Sequence, residues 1–130
     1  MGMTYLWDTN IAIYFLQQQF PPEVEIVVDN LVKREKPVIS AITEIELLCW
    51  KTSNEEDLRI LQNFINETIV IELEKDIKLI TADIRKNYRI KLPDAIIAAS
   101  AIVYQLSLIT HNYKDFENIK GLKIIDPFNT

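Results

Sequence analysis

The chain has 130 residues, which suits one domain over residues 1–130 and leaves little room for a second. Its 19 acidic and 14 basic side chains give a net charge of −5, which argues against nucleic-acid binding through a broad basic surface. Two glycines are too few for a Walker-type phosphate loop or a dinucleotide-binding fingerprint. Cys49 is the lone cysteine, and neither a secretory signal nor a membrane-length apolar run is visible, so we expect a cytoplasmic protein without membrane attachment.

The first half of the chain alternates short apolar strands with helices. In chain order, the predicted elements are a strand at residues 4–7, a helix at 11–16, a helix opened by Pro21 and Pro22 that ends near Glu35, a strand at 38–40, a helix starting at Thr43, and an amphipathic helix through Leu58, Leu61 and Ile65. Asp8, Thr9 and Asn10 follow the first strand and favour the start of a helix there.

The second half of the chain continues the alternation. The predicted elements are a strand at residues 69–71, a helix through Ile77, Ile80 and Ile84, a helix at 94–104, and strands at 106–110 and 123–125. The helix at 94–104 follows Pro93 and is apolar nearly all round, so most of its surface must be buried. Strands that alternate with helices predict an α/β fold, with a mainly parallel sheet covered on both faces.

Polar side chains follow several predicted strands at the points where those strands end. They are Asp8, Ser40, Thr43, Glu46 and the segment Thr110–Asn112, and Asp94 begins the buried helix. Because ligands bind beyond the carboxyl ends of parallel strands, we expect these groups to converge on one edge of the sheet.

Each acidic residue also has a purely structural interpretation. Asp8 or Asn10 would cap the first helix. Thr43 and Glu46 match a capping box, in which the glutamate reaches back to the N–H of the cap residue. Asp94 would be stabilised by the N-terminal end of its helix dipole without any further role.

Three converging carboxylates favour a bound cation. Asp8, Glu46 and Asp94 would repel one another at close range and would have to take up protons or share a positive ion. Oxygen ligands suit Mg²⁺ or Mn²⁺, and no cysteine–histidine set favours zinc. Such a cation polarises a phosphoryl oxygen and lowers the pKa of a bound water, which is the chemistry of phosphodiester hydrolysis. It would also offset the unfavourable net charge.

A short basic stretch precedes Asp94 and contains Arg85, Lys86, Arg89 and Lys91. The i, i+4 spacing of Arg85 and Arg89 places them on one face of a helix, where they are candidates for contacts with RNA phosphates. An ordinary solvated helix face is the alternative.

Four segments taken together resemble PIN domains, in particular VapC-type toxins. They are Asp8–Asn10, Ser40–Leu47, Leu92–Ala99 and Thr110–Phe116. The resemblance implies a three-layer α/β/α sandwich around a mainly parallel sheet of four or five strands. It also implies a homodimeric endoribonuclease that depends on Mg²⁺ or Mn²⁺ and hydrolyses RNA with a cation-activated water. Such a protein is the toxin of a type II toxin–antitoxin pair and is neutralised by a cognate antitoxin.

By position, the resemblance assigns catalytic and metal-binding roles to Asp8, Glu46 and Asp94. Glu44 is a rival for the second of these positions, but the Glu46–Leu47 pair fits the family spacing better. Supporting roles fall to Thr9, Asn10, Ser40, Thr43 and Asn112.

The fourth acidic position is divided between two residues. Some family members carry an aspartate where this chain has Asn112, so Asp115 is expected to supply the catalytic charge instead. Both residues are also common turn formers. The asparagine leaves open a second hypothesis, a catalytically silent PIN-like module that binds RNA or protein.

Other conspicuous residues are expected to be structural. Trp7 and Trp50 fit core or interface packing, and Cys49 fits the packing of a small apolar residue. His111 is disfavoured as a general base, because a cation-activated water needs none. A phospho-accepting regulatory domain is also disfavoured, since the first strand offers Asp8 alone where that class needs adjacent acidic residues.

Overall fold

The computed structural model describes residues 3–129. The strands are β1 (Tyr5–Trp7), β2 (Val38–Ser40), β3 (Ile69–Ile71), β4 (Ser107–Ile109) and β5 (Lys123–Ile125). The helices are α1 (Thr9–Leu16), α2 (Pro22–Arg34), α3 (Ala41–Leu48), α4 (Glu55–Glu67), α5 (Lys75–Asn87), α6 (Leu92–Val103) and α7 (Tyr113–Phe116). A 3₁₀ turn follows at Pro127–Asn129. The predicted strands and the longer helices are confirmed, whereas α7 and the 3₁₀ turn were not predicted.

Within residues 3–129, the strands that pair by hydrogen bonds run parallel to each other. β1 pairs with β4 and β4 pairs with β5, while β2 pairs with β3. β1 also lies beside β2, so the strands follow the order β3, β2, β1, β4, β5 across the fold. The α/β fold class is confirmed.

Alternate residues along the strands face two separate apolar cores. One core contains Leu6, Val38 and Leu108 together with side chains of α5 and α6. The other contains Trp7, Ile39 and Ile109 together with side chains of α1, α2, α3 and α4. Helices therefore cover both faces of the strand layer, which gives the predicted three-layer sandwich.

α6 is the most deeply buried helix, as its composition predicted. Residues 95–101 are buried without interruption, and the hydroxyl of Ser100 donates to the carbonyl of Ile96 at 2.8 Å, which satisfies the one polar side chain among them. Pro93 lies in the first turn, where its missing N–H leaves no hydrogen bond unmade. This helix fixes the position of Asp94 in the same turn.

Two local predictions about the helices were wrong. α3 is capped by Ser40, whose hydroxyl accepts a hydrogen bond from the N–H of Thr43 at 3.2 Å, so Thr43 lies inside the helix and heads no capping box with Glu46. α5 ends at Asn87 and Tyr88 is extended, so Arg85 and Arg89 do not share one helix face. In the second case, the chain turns toward α6 before the i, i+4 spacing is complete.

Cys49 was also wrongly expected to be packed. It is exposed at the C-terminal cap of α3, whereas Trp7 is buried and Trp50 packs partly against the second core. Within residues 3–129, no helix has both the length and the apolar character needed to cross a membrane.

Candidate active site

Asp8 lies where β1 ends and forms the N-terminal cap of α1. One carboxylate oxygen accepts from the N–H of Thr9 at 2.8 Å, and the other accepts from the hydroxyl of Thr110 at 2.7 Å. Thr110 accepts in turn from the N–H of Asn112 at 2.9 Å. Burial raises the pKa of Asp8 even though both hydrogen bonds lower it, and the charges of Glu46 and Asp115 raise it further. The capping interpretation is therefore correct, and the carboxylate also belongs to a cluster.

A chain of hydroxyl groups connects the ends of β1 and β2 to Glu46. The hydroxyl of Thr9 donates to Oε1 of Glu46 at 2.6 Å and lies 2.9 Å from the hydroxyl of Thr43. Ser40 donates to Thr43 at 3.2 Å. Because each hydroxyl carries one proton, the donors follow a single direction, from Ser40 to Thr43 to Thr9 to Glu46. This hydroxyl chain holds Glu46 in mid-helix, turned toward the end of β1.

Asp94 lies in the first turn of α6 and is half-buried. Burial raises its pKa to about 6, and the negative charges of Asp8, Asp115 and Glu46 add to the rise while Lys91 opposes it. These couplings place four carboxylates in one electrostatic cluster, which we call the carboxylate cluster: Asp8, Glu46, Asp94 and Asp115.

The two candidates for the fourth acidic position differ in their relation to the carboxylates. Asp115, in α7, faces the cluster closely enough to raise the pKa of both Asp8 and Asp94. Asn112 precedes α7 and lines a neighbouring cavity but not the groove that contains Asp94. The structure therefore brings Asp115 to the other carboxylates and leaves Asn112 with a backbone role toward Thr110. Asn10 is exposed on α1, outside the hydroxyl chain.

A groove of about 610 Å³ opens beside Asp94 and Asp115. Four basic side chains also line it, and we call it the cationic groove: Arg85, Arg89, Lys91 and Lys114. A guanidinium nitrogen of Arg85 donates to the carbonyl of Ile90 at 2.7 Å and so braces the bend between α5 and α6. Arg85 and Arg89 therefore line the same groove because the chain bends between them, and not because they share a helix face.

Carboxylate and hydroxyl oxygens make up the donor set of the site, which suits a hard divalent cation. Within residues 3–129, no three acidic, histidine or cysteine side chains come close enough together to enclose a metal ion. Mg²⁺ usually takes one or two carboxylates and keeps several waters, so enclosure is not required. Burial is the main reason that the pKa values of Asp8 and Asp94 are raised, and repulsion from neighbouring carboxylates, which a cation would relieve, adds to the rise. The residues fit a hydrated divalent ion.

Three neighbours of the carboxylates were assigned no individual site role from the sequence, although Thr110 was among the strand-end residues and Lys91 lay in the basic stretch. Thr110 is fully buried against Asp8, and Lys91 and Lys114 line the groove beside Asp94 and Asp115. Thr110 carried the same signal as Asp8, a polar residue at the end of an apolar strand. Lys114 lies on α7, a helix too short for its periodicity to be recognised.

A comparison with models of known protein families identifies the family of this chain. The family model of the PIN domain matches residues 5–122. The chain is a PIN domain. The four segments that carried the resemblance all lie inside the matched range, so the family prediction is confirmed.

Known proteins similar to this PIN domain include a ribonuclease and a toxin–antitoxin complex. Ribonuclease VapC1 of Haemophilus influenzae strain R2866 is 30% identical over 129 residues, which cover 93% of this chain and 96% of that protein. A DNA-bound VapBC structure from Salmonella typhimurium has a TM-score of 0.82 at 27% identity, covering 97% of this chain and 99% of that chain. A toxin–antitoxin complex from Klebsiella pneumoniae has a TM-score of 0.75 at 30% identity, covering 95% and 98%.

Proposed function

We propose that this PIN domain is a divalent-metal-dependent endoribonuclease and the toxin of a type II toxin–antitoxin pair. The observation that carries the proposal is the convergence of four carboxylates beside a groove lined by four basic side chains. An anionic cluster alone would repel RNA, and a basic groove alone would only bind it. Their juxtaposition suits hydrolysis of a phosphodiester. The similarity to Ribonuclease VapC1 and to toxin–antitoxin complexes supports the biological role.

The residues divide the work between holding the cation and holding RNA. Asp8, Glu46 and Asp94 would hold a hydrated Mg²⁺ or Mn²⁺, partly through the waters that the ion keeps, and the ion would supply Lewis-acid stabilisation of the charge that develops on the phosphoryl oxygens. Asp115 adds a fourth negative charge and raises the affinity of the cluster for a cation.

The chain's own groups orient the site and draw in the substrate. Thr9 and Thr110 fix the carboxylates of Glu46 and Asp8 through short hydrogen bonds, so those oxygens need little reorganisation when the cation binds. The cationic groove attracts the phosphates that flank the cleaved bond, which offsets the negative net charge of the protein.

Cleavage of a labelled RNA pool with and without Mg²⁺ tests this function. We expect the wild-type protein to cleave in Mg²⁺ and to stop in EDTA. We expect Asp94→Asn to lower the rate by about 100-fold or more, because Asp94 would hold the cation itself and loss of a group that only supports a metal ligand costs about 10- to 100-fold. Asp29→Asn, the same change on the exposed surface of α2, is the matched control and should cleave normally.

Cleavage by Asp94→Asn at the wild-type rate would overturn the assignment of the site. Failure of the wild type to cleave, together with no heat of Mn²⁺ binding, would favour the alternative of a silent binding module.

Assembly with partners is the other part of the proposal. We infer that a cognate antitoxin binds the domain and that the domain forms a homodimer in the cytoplasm. Exposed apolar side chains on the early helices, Ile26, Ile45 and Leu48, offer surface for such contacts. Light scattering of the protein alone and after co-expression with the product of the adjacent reading frame measures both assemblies.

A further inference from the structure

Two cavities meet at α7 and share two of its residues. One is the cationic groove, and the other is a cavity of about 740 Å³. Lys114 and Asp115 line both. We call the second one the imidazole cavity, and besides the two shared residues its lining includes His111, Asn112, Glu117, Asp126 and Asn129. A ligand that reaches Asp115 from the groove can therefore continue over α7 into this cavity.

The two cavities differ in charge. The cationic groove has four basic and two acidic side chains, which suits phosphates. The imidazole cavity has three acidic side chains, Asp115, Glu117 and Asp126, against the single cation of Lys114. A second phosphate would be repelled there. An uncharged group with N–H donors and a flat face would be accepted, and a nucleobase is such a group.

His111 gives the imidazole cavity a fixed aromatic surface. Its Nδ1 lies 3.3 Å from Oδ1 of Asp126, and that same oxygen accepts from the N–H of Phe128 at 2.9 Å. The imidazole and phenyl ring centroids are 3.9 Å apart, so Phe128 supports the imidazole from behind. The His111 side chain nevertheless remains 44% exposed. A ring that is anchored by its partners and still open to solvent is suited to stacking, because little rotamer freedom remains to be lost.

We propose that the imidazole cavity binds one unpaired nucleobase of the RNA, adjacent to the phosphodiester that the carboxylate cluster cleaves. The inference rests on the proposed ribonuclease function and adds a subsite to it. The strand crosses α7 at Asp115, with its phosphates in the cationic groove and the next base stacked on His111. Because a base in this position has left its own helix, the subsite selects single-stranded or bulged RNA over a duplex.

Equilibrium binding tests the subsite independently of cleavage. Every protein in the assay carries Asp94→Asn so that the RNA stays intact, and the probe is a fluorescein-labelled, single-stranded RNA pool of random sequence, about eight nucleotides long. In Mg²⁺, we expect His111→Ala to raise the Kd about fivefold or more, the lower range for loss of one stacked base. His111→Phe, which keeps a ring but loses the bond to Asp126, should restore most of the affinity.

Controls separate stacking from a structural role of the His111–Asp126 pair. Gln62→Ala, on the exposed surface of α4, should leave the Kd unchanged. A duplex of the same length should bind equally to the Asp94→Asn protein with His111 and to the one that also carries His111→Ala. After irradiation, an RNA that contains 4-thiouridine should be crosslinked to a peptide that contains His111 or Phe128.

The inference is overturned if His111→Ala keeps the single-strand Kd within about twofold, or if crosslinks are confined to residues 85–94. A lower melting temperature with an unchanged Kd would likewise assign the pair to structure alone. Cleavage of unmodified RNA by the protein with Asp94 intact is scored separately, so loss of the subsite and loss of the ribonuclease function give different results.

Discussion

Asp8 and Asp94 belong to one carboxylate cluster but are held in different ways. Asp8 is 4% exposed, and both of its oxygens accept hydrogen bonds from groups that the fold itself supplies. Asp94 is half-buried, lines the cationic groove, and has a pKa raised to about 6 by burial and by its three acidic neighbours. In the buried half of the cluster, Asp8, the protein itself supplies hydrogen-bond donors to both carboxylate oxygens. The open half, Asp94, carries electrostatic strain from its acidic neighbours, which a bound cation would relieve.

The hydroxyl of Thr110 offers the strongest way to break this contrast, because it completes the buried half. Thr110→Val removes the donor to Asp8 and the acceptor for the N–H of Asn112 in a fully buried position. We expect the free energy of unfolding to fall by about 1–3 kcal/mol, the cost of leaving buried polar groups unpaired. Cleavage should fall about tenfold because Asp8 loses its orientation.

Chemical denaturation and a pH–rate profile measure these two effects. Loss of the hydrogen bond raises the pKa of Asp8 further, so the acidic limb of the rate profile should move to higher pH. Thr110→Ser, which keeps the hydroxyl, is the matched control and should remain close to wild type in both measurements. Equal behaviour of the valine and serine variants would contradict the prediction.

The open half should reveal itself in the pH dependence of stability without metal. Asp94 has a folded-state pKa of about 6 against an ordinary value of 3.8, so between these values the folded state binds more protons than the unfolded state. Stability therefore decreases as pH rises from about 4 to about 6, and the loss is complete above that window. We expect about 1–2 kcal/mol from Asp94, less than the full shift implies because the group is only half-buried.

Denaturation in EDTA at several pH values, on wild type and Asp94→Asn, isolates this contribution. The variant should gain stability relative to wild type as pH rises through the window, and addition of Mg²⁺ above pH 6 should remove most of the difference. A stability difference that does not change with pH would count against the electrostatic strain at Asp94.

The smallest effect is expected in the groove that serves the open half. Arg89→Ala removes one exposed positive charge from the cationic groove. We expect KM for RNA to rise about threefold to tenfold at low salt with kcat nearly unchanged, and the salt dependence of binding to weaken by about one ion. Lys33→Ala, which removes one positive charge from the end of α2, should change neither quantity. Steady-state kinetics at two salt concentrations distinguish the outcomes.

The sequence predicted those parts of the fold that depend on local pattern. Apolar strands placed Asp8 and Ser40 at strand ends, and the continuous apolar run after Pro93 predicted the buried helix that carries Asp94. The convergence of Glu46 with Asp8 and Asp94 could also be expected from a parallel sheet. Each of these inferences needs only a period or a strand direction.

Details that depend on tertiary contacts could not be predicted in this way. Thr43 looked like a helix cap because its hydroxyl and Glu46 have the capping-box spacing, but Ser40 caps the helix and Thr43 bonds across to Thr9. The 15-residue separation of His111 and Asp126 likewise gives no periodic signal. Such pairs form because two strand ends lie side by side in the fold, which sequence spacing does not encode.

The hydroxyl chain from Ser40 to Glu46 limits how this protein can diverge. Each member passes its single proton to the next, so replacing Thr43 or Thr9 by valine would interrupt the chain and leave a neighbour with the wrong donor or acceptor. Serine and threonine remain interchangeable at these positions because either supplies one donor and one acceptor. Loss of one hydroxyl would have to be matched by a second change at its hydrogen-bond partner, which for Thr9 and Thr43 lies 34 positions away in the sequence. We therefore expect substitutions at Thr9, Ser40 and Thr43 to be correlated among related proteins.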